Sequence, residues 1–245
     1  MTRSANFLLF IILFCFYTLF SQSVLDSLKS NKERSEWFLS TQIHYGWLWK
    51  HREKIQNLPS VYPYAWELDL VNQTKGQKEW HWANNMPRLG IQLLFINMRN
   101  VEIYGNAIHT TPYADLILAR GNKSELFIKL GLGLAFYSNY FHVYRNQHNQ
   151  IISSPASYSG TFGFSYKRPF VKNTNMIMAV NFNHASNATI RQPNLGSNII
   201  SGSWAIERRI SGYRHFEERI VYKSWRKSQN YKALHFFFFP SFTIK

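Results

Sequence analysis

The sequence predicts an all-β chain that closes into one eight-stranded antiparallel β-barrel. Three observations carry this. Apolar residues recur with period two, the spacing of a strand, not of a helix. The alternating segments run for roughly 10 to 15 residues, against about 5 to 6 for strands of water-soluble domains. Aromatic residues make up 17% of the chain, with 14 Tyr, 20 Phe and 8 Trp, a content suited to anchoring rings at a membrane–water interface.

Taken in chain order, the first feature is the one long apolar run, residues 7–20, preceded by Arg3 and followed by Ser21-Gln22-Ser23. A charged start, a short greasy core and a small-residue exit describe a secretory signal peptide, assigned to residues 1–21. The alternative is a transmembrane helix, for which the run falls short of the roughly 20 residues a span needs. Cys15 lies inside this run and lacks the small residues expected before a lipoprotein cysteine. It is the single cysteine, so the exported chain forms no internal disulfide and no cysteine-based metal site. Residues 23–36 are polar and read as a periplasmic lead-in.

The barrel is assigned to residues 37–211. In its first strand Trp37, Leu39, Thr41, Ile43, Tyr45, Trp47 and Trp49 share one face, opposite Ser40, Gln42, His44 and Gly46. The second places Tyr64, Trp66, Leu68 and Leu70 against Glu67 and Asp69, and the third runs Leu89, Ile91, Leu93, Phe95. A fourth, less regular, is expected over 102–111. The fifth is the clearest, with Leu126 through Phe136 at every second position and Lys129, Gly131, Gly133 and Ala135 between them. The sixth sets Tyr158, Phe162, Phe164 and Tyr166 against Ser157, Ser159, Thr161 and Ser165. The seventh is Met176, Met178, Val180, Phe182, then His184 and Ser186; the eighth contains Ile200, Trp204 and Ile206. Turn-rich linkers at 57–60, 72–78, 121–123 and 146–155 separate several of these. Residues 212–245 differ in character, charged and then aromatic, and their structure is not assigned from the sequence.

One greasy and one polar face per strand fits a membrane barrel, with apolar side chains toward lipid and a polar interior. Closing the sheet removes the unpaired edges that hydrocarbon cannot satisfy. A soluble barrel with its greasy faces turned inward is the rival; interior Lys129, Glu67 and Asp69 and the abundance of rings argue against it. The location is therefore the bacterial outer membrane. The formal charge of +15 raises nucleic acid as a partner, but the Lys and Arg are dispersed and no nucleic-acid-binding motif accompanies them. An anionic membrane surface is the better partner. No cofactor or metal is expected: His44, His81 and His109 have no ligand-spaced partners. The sequence leaves the oligomeric state open.

The stretch that carries chemistry is Asn183-His184-Ala185-Ser186-Asn187-Ala188, continuing to Pro193-Asn194-Leu195-Gly196 and Asn198. His184 and Ser186 are two apart on a strand, so they emerge on one face about 7 Å apart along the chain. They share that face with Met176, Met178, Val180 and Phe182, which puts them outside the barrel at the end of the apolar band. With a periplasmic N-terminus, odd strands rise outward and this end meets the lipopolysaccharide leaflet. A Ser with a His base at that depth is an acyl-transfer nucleophile facing ester-linked acyl chains.

His-x-Ser-Asn-Ala followed by Pro-Asn-x-Gly resembles the motif of lipid A deacylases of the PagL type, including Bacteroidetes relatives known as acyloxyacyl hydrolases. Gly76-Gln77-Lys78-Glu79-Trp80, Pro87-Arg88-Leu89-Gly90, the segment from Gly131 to Tyr137 and Asn149-Gln150-Ile151-Ile152-Ser153-Ser154 are similar to those relatives too. The resemblance covers roughly residues 37 to 211. It implies an outer-membrane barrel that hydrolyses an acyl ester of lipid A without a metal. His184 then matches the general base, Ser186 the nucleophile and Asn187 a residue that supports the oxyanion. Arg191 is a candidate contact for a lipid A phosphate, with a plain solvated loop arginine as the alternative. The third triad member in the best-known enzymes is a Glu, where this chain has Asn198. Asn accepts a hydrogen bond from the imidazole but supplies no negative charge; the corresponding Asp-to-Asn change in serine proteases costs about 10⁴ in rate. Glu207 is a poor stand-in because its parity points it into the barrel. The alternative function is a catalytically inactive structural or lipid-binding barrel.

Overall fold

The computed structural model describes residues 36–50, 60–76 and 78–211. The expected signal peptide, the lead-in apart from Glu36, the turn at 57–59 and the tail at 212–245 lie outside the described residues. Eight strands form: β1 (Glu36–Leu48), β2 (Tyr64–Gln73), β3 (Arg88–Asn97), β4 (Asn106–Arg120), β5 (Glu125–Tyr137), β6 (Ala156–Val171), β7 (Thr174–Ser186) and β8 (Ser197–Ser211). A short helix, α1 (Glu79–Ala83), interrupts the β2–β3 connection. Each strand pairs antiparallel with the next, and β8 pairs back onto β1 to close the barrel.

The alternation read from the sequence is the alternation of the wall. Leu39, Ile43, Tyr45 and Trp47 of β1 and Leu126, Leu130, Leu132, Leu134 and Phe136 of β5 face outward, while their neighbours are buried. Thr41 is outward too, and its hydroxyl accepts a hydrogen bond from the Trp66 indole at 2.8 Å, so neither polar group is left unpaired toward lipid.

The fourth strand departs from expectation, running to Arg120 and not ending at 111. Pro112 hides it. Proline has no N–H to donate to the ladder and normally argues against a mid-strand position. Here it sits opposite Ile91 of β3, and the β4–β5 pairing lapses between Thr110↔Leu134 and Tyr113↔Gly131. Glycines accommodate the close approach. A Cβ on Gly133 would lie 2.1 Å from the Thr110 carbonyl oxygen, and one on Gly131 would lie 2.8 Å from the Tyr113 Cβ.

The interior has two zones, where a uniformly polar one was expected. Toward the short-turn end it is ionic: Lys129 bridges Glu67 at 2.9 Å and Asp69 at 3.7 Å, and its ammonium lies 4.2 Å from the Tyr113 ring centroid. His44 meets Glu67 at 3.0 Å, and Arg88 pairs with Glu207 between the rings of Phe38 and Phe127. Toward the other end the interior is a dry cluster that includes Leu94, Ile96, Met98, Tyr104, Ile151, Ala185 and Ile199. Two long connections, 98–105 and 138–155, and the β7–β8 connection, 187–196, gather over this apolar end, where β1 also ends and β2 begins. The opposite end has the tight turns at 121–124 and 172–173 and the α1 connection.

Candidate active site

The site forms where β7 ends and β8 begins. His184 and Asn198 are direct cross-strand partners. Their side chains therefore stand on the same outward face, at the spacing that lets directly opposed residues touch. His184 Nδ1 lies 2.6 Å from Asn198 Oδ1. With Asn198 Oδ1 accepting from Nδ1–H, the ring is fixed in the tautomer whose Nε2 carries the free lone pair. Gly196 closes against the ring. Its φ of +80° is left-handed, which favours glycine, and the space is tight, since a Cβ there would sit 3.2 Å from His184 Cε1.

Ser186 ends β7. Its Oγ accepts hydrogen bonds from Asn194 Nδ2 at 2.8 Å and from the Ala188 backbone N–H at 3.3 Å. Among the described residues it makes no hydrogen bond to His184. Residues 187–190 form a tight turn: Ile190 N–H donates to the Asn187 carbonyl at 3.1 Å, with φ of 52° at Ala188 and 67° at Thr189. Two successive left-handed residues are the signature of a type I′ turn, which prefers Asn and Gly. Here Ala and Thr hold it, and the strain aims the Ala188 N–H at Ser186.

Asn187 lies behind this face, on the inward side of the wall. Its side chain is buried, and Nδ2 donates to Ser153 Oγ at 2.9 Å and to the Arg191 carbonyl at 3.0 Å. With both amide hydrogens engaged, it has none left for an oxyanion. Asn194 occupies the expected place instead: its Nδ2 reaches Ser186 while its Oδ1 accepts from the Asn187 N–H at 3.4 Å. Arg191 is exposed in the turn, its carbonyl taken by Ser153 and Asn187.

The 138–155 loop is the platform. Gln150 and Ile151 carbonyls accept from the N–H groups of Leu195 and Gly196 at 3.2 and 3.0 Å. Asn149 is fully buried; Oδ1 accepts from Ile151 and Ile152 N–H, and Nδ2 donates to the Ile103 and Asn139 carbonyls. Behind the site, Ala185 and Ile199 point into the dry cluster. The site is thus mounted on a packed core and not on a free loop, which keeps its geometry fixed. Glu207 lies fully buried, paired to Arg88 and to Asn175 at 2.8 Å, and cannot serve His184. Among the described residues no group of three His, Cys, Asp or Glu could hold a metal. His109 contacts Ser159 at 3.0 Å inside the barrel.

A sequence model of the family described as "Lipid A 3-O-deacylase (PagL)" matches residues 24–207. The chain belongs to the PagL family. Membership and the closed, outwardly apolar barrel together make it an outer-membrane protein. Among solved structures it is similar to the outer membrane enzyme PagL, with 18% identity, 68% of this chain and 97% of that chain covered, and a TM-score of 0.46. Neisserial surface protein A follows with 9% identity, coverage of 71% and 96%, and a TM-score of 0.47. The attachment invasion locus protein Ail of Yersinia pestis has 12% identity, coverage of 72% and 97%, and a TM-score of 0.38. No curated protein matches the chain.

Within this PagL-family barrel, His184 and Asn198 meet across the β7–β8 pair, Ser186 follows two residues on along the same face, and Asn187 stands one layer behind. Sequence reasoning quoted Asn194 and Ser153 within motifs but gave them no role, and it passed over the Ala188 N–H. Parity was available for Asn187, which as the residue after outward Ser186 faces inward. The Pro-Asn-x-Gly motif marks Asn194 but not its contact, because it returns to Ser186 only through the turn. Of the other segments similar to the family, two lie in the wall, where Arg88 is an interior charge and Gly90 leaves room for the Tyr113 ring, while residues 149–154 belong to the loop that supports the site.

Proposed function

We propose that this chain removes an ester-linked acyl chain, that at the 3-position, from lipid A of lipopolysaccharide in the outer leaflet, with Ser186 as nucleophile and His184 as general base. The observation that carries the reading is the 2.6 Å contact from His184 Nδ1 to Asn198 Oδ1, on the lipid-facing side and next to Ser186. The gathering of long connections at this end, as in membrane barrels whose longer loops face the exterior, supports an outward orientation.

Ser186 Oγ attacks the ester carbonyl carbon as His184 Nε2 takes its proton, which requires the hydroxyl to turn from its resting partners toward the ring. The tetrahedral oxyanion forms beside the Asn194 amide and the Ala188 N–H, donors already within reach of Oγ. On collapse, the sugar oxygen leaves with the proton from His184. Water, deprotonated by the same imidazole, then cleaves the acyl-serine to release the fatty acid. Asn198 orients the ring throughout, and Asn187 and Ser153 hold the turn. Arg191, exposed on the turn, is the candidate contact for a lipid A phosphate.

The test is to express the chain in a Gram-negative host and weigh its lipid A. The expected result is a population lacking one acyl chain, absent with Ser186→Ala. An unchanged mass, with a barrel shown folded by heat-modifiable electrophoretic mobility, would instead support an inert structural or lipid-binding barrel.

A further inference from the structure

An acyl chain bound at Ser186 must leave the site toward the hydrocarbon, across the outer face of the barrel. Most lipid-facing positions around that path carry large side chains: Tyr158 and Phe162 on β6, Leu132 and Leu134 on β5, Phe182 on β7. Asn198 fills the β8 flank of His184. The exception is Gly160. It lies on β6 directly opposite His184, and Tyr158, two residues before it, is opposite Ser186. Gly160 is therefore a diagonal neighbour of the nucleophile, one step toward the membrane interior.

The fold does not explain this glycine. Gly46 and Gly133 are held to glycine by backbone contact, since a Cβ on either would fall 2.1 Å from a carbonyl oxygen, of Ile200 and of Thr110, and at Gly163 a Cβ would meet Asn181 Oδ1 at 2.7 Å and the Val180 carbonyl oxygen at 3.2 Å. A Cβ on Gly160 would meet only Leu132 Cδ2, at an ordinary 3.7 Å, and its φ is not left-handed. A strand glycine forgoes packing and costs backbone entropy relative to alanine. What the missing side chain leaves is a gap in an otherwise greasy face, beside Leu132, two residues from Phe162 and across the ladder from His184.

We propose that Gly160 is a specificity-determining position, the floor of a slot that receives the first methylenes of a long acyl chain whose ester carbonyl lies at Ser186. The slot rests on the reading of Ser186 as nucleophile. A side chain at 160 blocks the path for long chains and leaves the chemistry of a two-carbon ester untouched. Gly202 supplies the control. It too faces open space, but opposite Val180 on the β8 flank, off the route from Ser186.

The experiment uses the full chain in detergent micelles with p-nitrophenyl acetate and p-nitrophenyl myristate. Gly160→Leu is expected to lower kcat/KM for the myristate ester about tenfold or more while the acetate ester changes by about twofold or less, since pocket methylenes discriminate on this scale. Gly160→Ala moves the ratio the same way by less, and Gly202→Leu leaves it unchanged. A myristate-to-acetate ratio unmoved by both Gly160 variants overturns the slot, and so does an equal loss on both esters. If Ser186→Ala retains wild-type hydrolysis, or wild type cleaves neither ester, the reading of Ser186 itself fails and the slot fails with it.

Discussion

Replacing Asn198 by Glu should speed the reaction, and by an amount the geometry bounds. Proton transfer turns neutral His184 into an imidazolium while Asn198 Oδ1 sits 2.6 Å from Nδ1. A carboxylate there places opposite charges about 4 Å apart between centres. That separation is worth about 4 kcal/mol at an effective permittivity of about 20 and about 1 kcal/mol in bulk water. Asn198 is only 5% exposed, so screening is weaker than in bulk. Desolvating the new carboxylate offsets part of the gain. The difference between a charged and a neutral hydrogen bond, roughly 1 to 2 kcal/mol, is the realistic net. Each 1.36 kcal/mol is tenfold in rate, so kcat should rise about tenfold, with about a thousandfold as the Coulombic ceiling. KM should hold, because the charge exists only on the way to the transition state. Asn198→Asp, which preserves shape, should act in the same direction, and Asn198→Leu should lower kcat. The assay is the time course of single-acyl loss from lipid A by mass spectrometry, on protein whose folding is checked by heat-modifiable mobility. Turnover unchanged or lowered in folded Asn198→Glu would refute the assignment of Asn198 as the orienting third member.

Three further outcomes follow from the same contacts. Asn194→Ala should lower kcat about 10²- to 10³-fold with little change in KM, the effect of removing one oxyanion donor, whereas a pure KM effect would point to substrate binding instead. Ala188→Gly should relieve a left-handed alanine and raise stability by about 1 kcal/mol, read as a shift in the urea unfolding midpoint of the refolded barrel; no shift would show that the turn is unstrained. Glu67→Ala should destabilise by about 1.5 to 3 kcal/mol, the scale of a hydrogen bond to a charged group, because Lys129 loses its 2.9 Å partner and keeps Asp69 at 3.7 Å; Glu67→Ala with Asp69→Ala, which removes both of these carboxylates, should lose more in the same unfolding measurement.

Much of the architecture is legible in the chain because strand alternation is a local property. Which residues of β1 or β5 face lipid depends only on parity, and so does the shared face of His184 and Ser186. Motif similarity added the chemistry. What stayed illegible depends on contacts between distant segments. The reach of β4 past 111 was masked by Pro112, whose missing N–H is tolerated because Gly131 and Gly133 let β5 close in. The dry upper interior could not be separated from the ionic lower one, since strand parity names a face but not a depth.

The sequence by itself determined the number of strands, their inward and outward faces, and the pair His184 and Ser186, because each follows from the two-residue repeat of one extended segment. Only the tertiary structure decided what completes that pair. The β7–β8 register sets Asn198 against His184, the reversal of the 187–196 turn brings Asn194 to Ser186, and the 138–155 loop claims the Asn187 amide. Register, chain reversal and loop docking are long-range choices, settled by burying Ala185, Ile199 and Ile151 together in one core.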